Sequence, residues 1–128
     1  MTGGVHGKEA NPHLPESPEA IAAAAADCED AGASVVHLHA RRPNGERAFS
    51  TERFHEVADA VREATDDVIP QHSTGGTAAP DDVRMEPIRT DPAPEMASLD
   101  MGPLNRYDHL TSENTRGFVD RLHDEMLE

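Results

Sequence analysis

Two histidines separated by one residue are the part of the sequence with the clearest capacity for chemistry. His37-Leu38-His39 lies in the segment 33–40 (ASVVHLHA), whose β-branched residues predict a strand. Alternate side chains of a strand share a face, so both imidazoles point the same way, with Cβ atoms roughly 6.6 Å apart. Two imidazoles at that spacing can bind one metal ion, at Zn–N distances of about 2.0–2.1 Å. The pattern alone predicts either a metal site or two polar residues at the end of a strand.

A glycine-rich turn is the second chemical feature. It consists of Ser73, Thr74, Gly75 and Gly76, and it follows a predicted strand at 68–73. Backbone amides can approach an anion closely in such a turn, and the hydroxyls add donors. The turn therefore suits a carboxylate or a phosphate, with an ordinary βα connection as the alternative. It lacks the lysine of a P-loop, and the chain has no Gly-X-Gly-X-X-Gly dinucleotide motif.

Weaker indications of chemistry come from Asn105, Cys28 and the remaining histidines. Asn105 follows the third predicted strand, where it can hydrogen-bond a ligand or serve as a turn residue. Cys28 is the only cysteine, so no internal disulfide can form, which fits a reducing cytosol. We expect the remaining histidines at the surface: His6, His13, His55, His72, His109 and His123.

Helices and strands alternate along the chain, which is typical of parallel βα units. The first helix is predicted from a Ser17 N-cap to about Asp30, and the second begins after Ser50. The other predicted segments are a loop at 41–49, a strand at 68–73, a short helix at 81–88, a strand at 96–101 and a last helix capped by Thr111 or Ser112. Pro70 is awkward in a strand because it removes a ladder donor. Either an open doubly wound sheet or part of a barrel fits, since a complete barrel needs roughly 250 residues.

Composition limits the partners and the setting of the protein. The chain has 128 residues and a net charge of −14, from 25 acidic and 11 basic residues. Such a surface repels nucleic acid and anionic membranes, so we expect neither as a partner. Lys8 is the only lysine, and abundant acids with few lysines predict a halophilic protein kept soluble in concentrated salt. No signal peptide and no long apolar run is visible, which predicts a cytoplasmic protein.

Four segments in a fixed order resemble the beta-keto acid cleavage enzymes, whose founding activity is 3-keto-5-aminohexanoate cleavage in lysine fermentation. The segments are 11–15 (NPHLP), 31–41 with its His-Leu-His-Ala-Arg end, 73–76 (STGG), and 94–99 (PEMASL) followed by Gly102 and Asn105. The resemblance covers nearly the whole chain. It implies an α/β fold in which parallel βα units form roughly the first half of a (β/α)8 TIM barrel. Residues 1–128 are then one partial barrel domain without strand 1 and without the strands after the fourth helix.

The resemblance also implies the chemistry. A member of this family converts a beta-keto acid and acetyl-CoA, its co-substrate, into acetoacetate and a new acyl-CoA, with zinc or another divalent metal as cofactor. His37 and His39 match two of the metal ligands. A Lewis-acidic ion of this kind polarises a keto carbonyl and stabilises a developing enolate.

The substrate residues follow from the same matching positions. The substrate carboxylate would be held by Ser73 together with the turn amides of Thr74, Gly75 and Gly76. Asn105 matches an asparagine that lies near the substrate, and Glu9 is a candidate for a catalytic acidic residue of the first loop.

The resemblance leaves several outcomes open. The family's third ligand, a glutamate, and an arginine and an aspartate of the reaction fall on later strands, so we expect activity to be impaired by truncation. The alternatives are a non-catalytic metal-binding remnant and another barrel enzyme with a His-X-His metal site. An open half-barrel exposes strand edges and its inner face, which predicts a homo-oligomer or a complementing chain.

Overall fold

The structure is a computed structural model that describes residues 2–76, 79–106 and 109–128, with the side chains of 105, 106 and 109–112 left aside. Within these residues the helices are α1 (Pro18–Asp30), α2 (Thr51–Ala64), α3 (Asp81–Met85) and α4 (Arg116–Met126). The strands are β1 (Val35–Leu38), β2 (Ala40–Arg41), β3 (Arg47–Ala48), β4 (Ile69–His72), β5 (Met96–Ala97), β6 (Leu104–Arg106) and β7 (His109–Ser112). A 3-10 turn, Glu86–Ile88, extends α3. None of the helices in the described part is long and apolar enough to cross a membrane.

The first two helices begin where the sequence predicts, and α1 also ends at the predicted Asp30. Ser17 Oγ accepts a hydrogen bond from Ala20 N at 3.2 Å, and Ser50 Oγ accepts one from Arg53 N at 3.4 Å. Both serines are N-caps that satisfy amides of the first turn. Gly32, with φ of 96°, follows the end of α1 in a conformation that glycine tolerates best.

The cap of the last helix differs from the prediction. Thr115 is the N-cap of α4, and its hydroxyl accepts a hydrogen bond from Phe118 N at 3.2 Å. The predicted caps, Thr111 and Ser112, are wrong because both belong to β7, which pairs antiparallel with β6. That hairpin depends on pairing between segments, which the local sequence does not reveal.

Three parallel strands form the sheet that carries the candidate site. Their order is β1-β4-β5, so β4 is central. Val36 pairs with Pro70 and Leu38 with His72, while pairing between β4 and β5 starts only at Gln71 and Met96. The predicted parallel βα units are confirmed, although the third strand is shorter than the predicted 96–101.

Pro70 occupies a position in the central strand that needs no donor. Ile69 N donates to Ser34 O at 3.0 Å and Ser73 N donates to Leu38 O at 3.1 Å, so the odd-numbered amides face β1. The nitrogen of Pro70 therefore faces the side of β5, where the ladder has not yet begun. This placement removes the conflict that proline creates inside a sheet.

The predicted loop 41–49 contains a small hairpin. Strands β2 and β3 pair antiparallel, with Ala40 opposite Ala48 and Arg41 opposite Arg47. Its turn is closed by Gly45, whose φ of 83° suits glycine. The turn at Asn44 and Gly45 therefore connects two short strands.

The core lies between the helices and one face of the sheet. Its main cluster includes Ile21, Val36, Leu38, Phe54 and Val61, all buried. Val36 and Leu38 thus point towards the helices, which leaves His37 on the opposite face, as alternation predicts. The one cysteine, at position 28, packs partly buried against this cluster.

The expected surface position of His72 is wrong. Its side chain is 0% exposed and packs against Phe54 with ring centroids 5.3 Å apart. Nδ1 lies 2.7 Å from the carbonyl oxygen of Pro87, while Nε2 is buried and makes no hydrogen bond to any described residue. Burial, above all, lowers the pKa of His72, against the raising effect of the Pro87 carbonyl.

Candidate functional site

Polar residues gather where the three parallel strands end. His39 directly follows β1, Ser73 directly follows β4, and Ser98 directly follows β5. The hydrogen bond from Ser73 N to Leu38 O brings Ser73 beside the end of β1, and Ser98 N donates to His72 O at 2.9 Å. Sites of α/β proteins form at the carboxyl ends of parallel strands, so this edge is the candidate functional site.

His37 and His39 form a close pair at this edge. Their ring centroids lie 5.0 Å apart with an interplanar angle of 79°, and both side chains are half-buried. Nδ1 of His37 lies 2.7 Å from Oε1 of Gln71, its register partner on β4. The structure therefore brings the two predicted metal ligands together on one face of the sheet.

The loop at the start of the chain packs against His39. Gly4 lies so near the ring that a Cβ atom there would come 2.6 Å from Cε1 of His39. Arg41 and Arg47 hold this loop in place, since Arg41 Nη2 donates to Gly3 O at 2.7 Å and Arg47 Nη1 donates to Gly4 O at 3.2 Å. Arginines of the β2–β3 hairpin thus hold the loop that packs against His39, a candidate metal ligand.

The two histidines fit part of a metal site. Imidazole nitrogens suit zinc and several other divalent ions, and a catalytic zinc usually has three protein ligands. Among residues 2–76, 79–106 and 109–128, no group of three or more His, Cys, Asp or Glu side chains converges in a way that could hold a metal ion. The described residues thus offer two nitrogen ligands to a divalent ion.

The predicted carboxylate turn is tied to the next strand. Thr74 N donates to Ser98 Oγ at 3.0 Å, and Thr74 Oγ1 donates to Ser98 O at 2.7 Å. Gly75 N donates to Ser73 Oγ at 3.3 Å. The fully buried Thr74 side chain therefore joins β4 to β5, while Ser73, 3% exposed, continues the face that carries His37 and Gln71.

A buried arginine supports the turn from behind. Arg84 Nε donates to Thr74 O at 3.1 Å, Nη2 hydrogen-bonds Asn114 Oδ1, and the guanidinium lies 4.0 Å from the centroid of the Phe118 ring. Asn114 Nδ2 in turn donates to Gly102 O at 2.7 Å. Burial lowers the pKa of Arg84, and the carboxylates of Asp81 and Asp100 counteract this. Arg84 thus links the turn to α4 and to the loop after β5.

The two remaining predicted site residues lie elsewhere. Asn105 is in β6, and its side chain falls outside the described part. Glu9 lines an open cleft of about 650 Å³ together with Arg41, Glu16 and Glu46, and neither site histidine is among the lining residues. The backbone amide of Gly7, 2.7 Å from Glu9 Oε1, is the main reason that the pKa of Glu9 is lowered. A lowered pKa makes Glu9 a weaker general base.

Three contributors to the site carry no recognisable motif in the sequence. Gln71 touches His37, Arg84 supports Thr74, and Asp100 lies next to Gly75, where a Cβ atom would be 3.7 Å from its Oδ2. The alternation of β4 puts Gln71 on the same face as Ser73, which is a usable signal once the strand order is known. No local signal marks Arg84, because its partners are distant in sequence.

The sequence model of the beta-keto acid cleavage enzymes matches residues 1–128 of the chain. The chain is 46% identical over 99 residues to the 3-keto-5-aminohexanoate cleavage enzyme of Acetoanaerobium sticklandii, covering 77% of this chain and 36% of the relative. It is 31% identical over 128 residues to the 3-oxoadipate:acetyl-CoA acetyltransferase of Cupriavidus necator, covering 98% of this chain and 43% of the relative. The chain therefore spans between 36% and 43% of the length of these curated relatives.

A solved structure gives the same result for the fold. The apo structure of ObcA superposes with a TM-score of 0.76 at 24% identity, covering 89% of this chain and 28% of that chain. The predicted fold class is confirmed as α/β, with parallel βα units that form part of a (β/α)8 barrel.

Proposed function

Because this chain belongs to the beta-keto acid cleavage enzyme family, we propose that it binds a divalent metal and serves the cleavage of a beta-keto acid with acetyl-CoA. The products would be acetoacetate and a new acyl-CoA. The observation that carries the proposal is the His37–His39 pair, with ring centroids 5.0 Å apart at the carboxyl end of β1. Acetyl-CoA is the proposed co-substrate because it appears in the name of the Cupriavidus necator relative.

The metal would be held by His37 and His39, with zinc as the first candidate. A divalent ion in this position supplies Lewis acidity towards a keto carbonyl. The chain's own residues provide the orientation, since Gln71 contacts His37 and Gly4 packs on His39. Fixed imidazoles keep their nitrogens aimed at one point, which lowers the entropy lost on binding.

The substrate carboxylate would be held by Ser73 and the amide of Gly76. The amides of Thr74 and Gly75, which the resemblance also assigns to the carboxylate, already donate to Ser98 Oγ and Ser73 Oγ and shape the turn. Ser73 follows β4 on the face that carries His37, so a short keto acid can reach both groups. Fixing the carboxylate orients the reacting carbons, which is the main contribution of a binding turn to the rate. Asn105, in β6, is proposed as a further contact of the substrate.

A second chain is proposed to cover the open face of the sheet, either another copy or a complementing chain. The side chains of Val35 and Met96, on the face of His37, are 43% and 37% exposed. Strands β1 and β5 each have one paired neighbour among the described residues. Light scattering coupled to gel filtration tests this, and a sharp monomer peak with cooperative melting would contradict it.

The test of the proposed function is zinc calorimetry on the purified chain in concentrated salt, followed by an acetoacetate-release assay with acetyl-CoA. We expect one zinc ion per chain, lost in the His37→Ala/His39→Ala double variant. Weak zinc binding that is unchanged in the double variant would refute the metal site.

Non-catalytic metal binding is the second candidate, and it is favoured by one observation. The described residues supply two imidazoles but no third converging ligand. Zinc binding that depends on both histidines, without acetoacetate release from any beta-keto acid tested, would support this candidate over the enzyme.

A further inference from the structure

A close side-chain contact between two neighbouring strands involves the His37 ring. Its Nδ1 lies 2.7 Å from Oε1 of Gln71. A carbonyl oxygen can only accept a hydrogen bond, so this contact is a hydrogen bond when Nδ1 carries the proton and donates it. In a neutral imidazole with Nδ1 protonated, the lone pair lies on Nε2.

We propose that Gln71 is a positioning residue that holds His37 in the Nδ1-protonated tautomer and thereby selects Nε2 as the metal-binding atom. The inference rests on the proposed metal site at His37 and His39. Imidazoles that bind metals usually donate their other N–H to a carbonyl or carboxylate, which fixes both the tautomer and the ring orientation.

The backbone makes this contact a rigid one. His37 and Gln71 are register partners in the parallel ladder, so their side chains leave the same face side by side. Their neighbours Val36, Leu38 and His72 are buried on the other face, which anchors both strands. The His37 side chain therefore meets the amide without any movement of the backbone.

The amide also limits rotation of the ring. A His37 ring flipped by 180° about its Cβ–Cγ bond would remove Nδ1 from Oε1 of Gln71. The His37 ring contacts Gln71, the His39 ring packs against Gly4, and the two rings meet at an angle of 79°. Gln71 thus controls both which nitrogen of His37 has the lone pair and where that nitrogen points.

Two variants separate the hydrogen bond from the volume of the side chain. Gln71→Met keeps a similar length and removes the acceptor, whereas Gln71→Glu keeps an acceptor oxygen at the same reach. The first readout is nuclear magnetic resonance of the full chain with ¹⁵N-labelled histidine, without metal, at an alkaline pH where a free imidazole is neutral. His37→Ala identifies the His37 signals by their loss.

We expect the proton on Nδ1 of His37 in the wild-type chain and in Gln71→Glu, and a mixture of tautomers in Gln71→Met. The second readout is zinc affinity, which we expect to weaken by about 10–100-fold in Gln71→Met and to recover in Gln71→Glu. Thermal melting of each variant shows whether it is folded. If Gln71→Met does not fold, the tautomers of the wild-type chain and of Gln71→Glu still decide the result.

A wild-type ring with its proton on Nε2 would overturn the inference. So would a Gln71→Met chain in which the tautomer or the zinc affinity stays as in the wild type. A failure of the proposed function would give a different result. Zinc binding would then be unaffected by His37→Ala, while the tautomer of the metal-free His37 ring would still depend on Gln71.

Discussion

The ring of His39 packs on the backbone of Gly4 so closely that a Cβ atom at Gly4 would lie 2.6 Å from Cε1 of the ring. Real Cβ atoms do not approach a neighbour this closely, so any larger residue at position 4 must displace the ring or the loop. The position of a candidate metal ligand therefore depends on a residue that precedes it by 35 positions in sequence.

We predict that Gly4→Ala weakens zinc binding by on the order of tenfold, because the displaced His39 ring no longer converges with His37. Calorimetry with zinc measures the change. Gly3→Ala is the matched control, since a Cβ atom at Gly3 would have no neighbour within 4 Å. Equal zinc affinity in the two variants would contradict the role given to Gly4.

The glycine-rich turn offers a second matched pair. A Cβ atom at Gly76 would lie 2.7 Å from Cγ of Arg84, whereas one at Gly75 would make only ordinary contacts, 3.5 Å from Ser73 Oγ at the nearest. We expect Gly76→Ala to lower the free energy of unfolding by about 1–3 kcal/mol, as overpacking does, and Gly75→Ala to cost less. Urea denaturation of both variants measures the difference, and the reverse order would refute the tight packing of Arg84.

Glu29 joins the end of α1 to the segment after α2. Its carboxylate accepts hydrogen bonds from the backbone amides of Asp66, Asp67 and Val68, at 2.7 to 3.1 Å. These bonds, with that from Asp67 the largest, lower the pKa of Glu29 below its usual 4.5. The stabilisation is therefore complete above pH 4.5 and is lost as the pH falls through the lowered pKa of the folded state.

We expect Glu29→Gln to lower the melting temperature at neutral pH, because the amide offers one acceptor oxygen instead of two. We also expect the melting temperature of this variant to fall less steeply as the pH becomes acidic. Melting curves between neutral and acidic pH measure both effects. Asp30→Asn, which removes the same charge from the same helix end, is the control. Identical curves for the two variants would show that only net charge matters.

His72 predicts a second pH dependence, in a higher range. Burial lowers the pKa of His72 below its usual 6.5, so the unfolded chain binds a proton that the folded chain excludes. Stability from this group is complete above pH 6.5 and declines as the pH falls below it, by at most about 1.4 kcal/mol per pH unit. His72→Gln should remove this slope in denaturation curves, while His13→Gln, at an exposed position, should retain it. A slope that survives in His72→Gln would assign it to another group.

The net charge of −14 predicts a strong effect of salt. Self-repulsion among the acids destabilises the compact chain, and screening shortens its range as the Debye length falls from about 10 Å at 0.1 M to about 3 Å at 1 M. We expect most of the rise in melting temperature to occur as potassium chloride is raised from about 0.1 M to about 1 M. A melting temperature that is constant or falls would contradict the halophilic character proposed from composition.

Local patterns account for much of the fold. Ser17 and Ser50 are recognisable caps because the bonds they accept come from residues three positions away. The shared face of His37 and His39 follows from the period of two in a strand, and burial of the intervening Leu38 agrees with it. These features need no knowledge of the rest of the chain.

Features that depend on the order of strands and on packing could not be predicted in this way. Gln71 meets His37 only because β4 lies next to β1, and His72 is buried only because α2 and the 3-10 turn cover it. Thr115 caps α4 because Thr111 and Ser112 are used by a hairpin. In each case a tertiary contact overrides a local preference.

Pro70 disfavours one wrong register between the central strand, β4, and its neighbour β5. Parallel strands of similar residues can slide past one another by two positions without changing which side chains face the core. If β5 slid two positions towards the start of β4, the ladder would require an amide hydrogen at position 70, and proline has none. The residue that looks out of place in a strand therefore disfavours this wrong alignment while the sheet assembles, and it helps to keep Ser98 beside the turn that starts at Ser73.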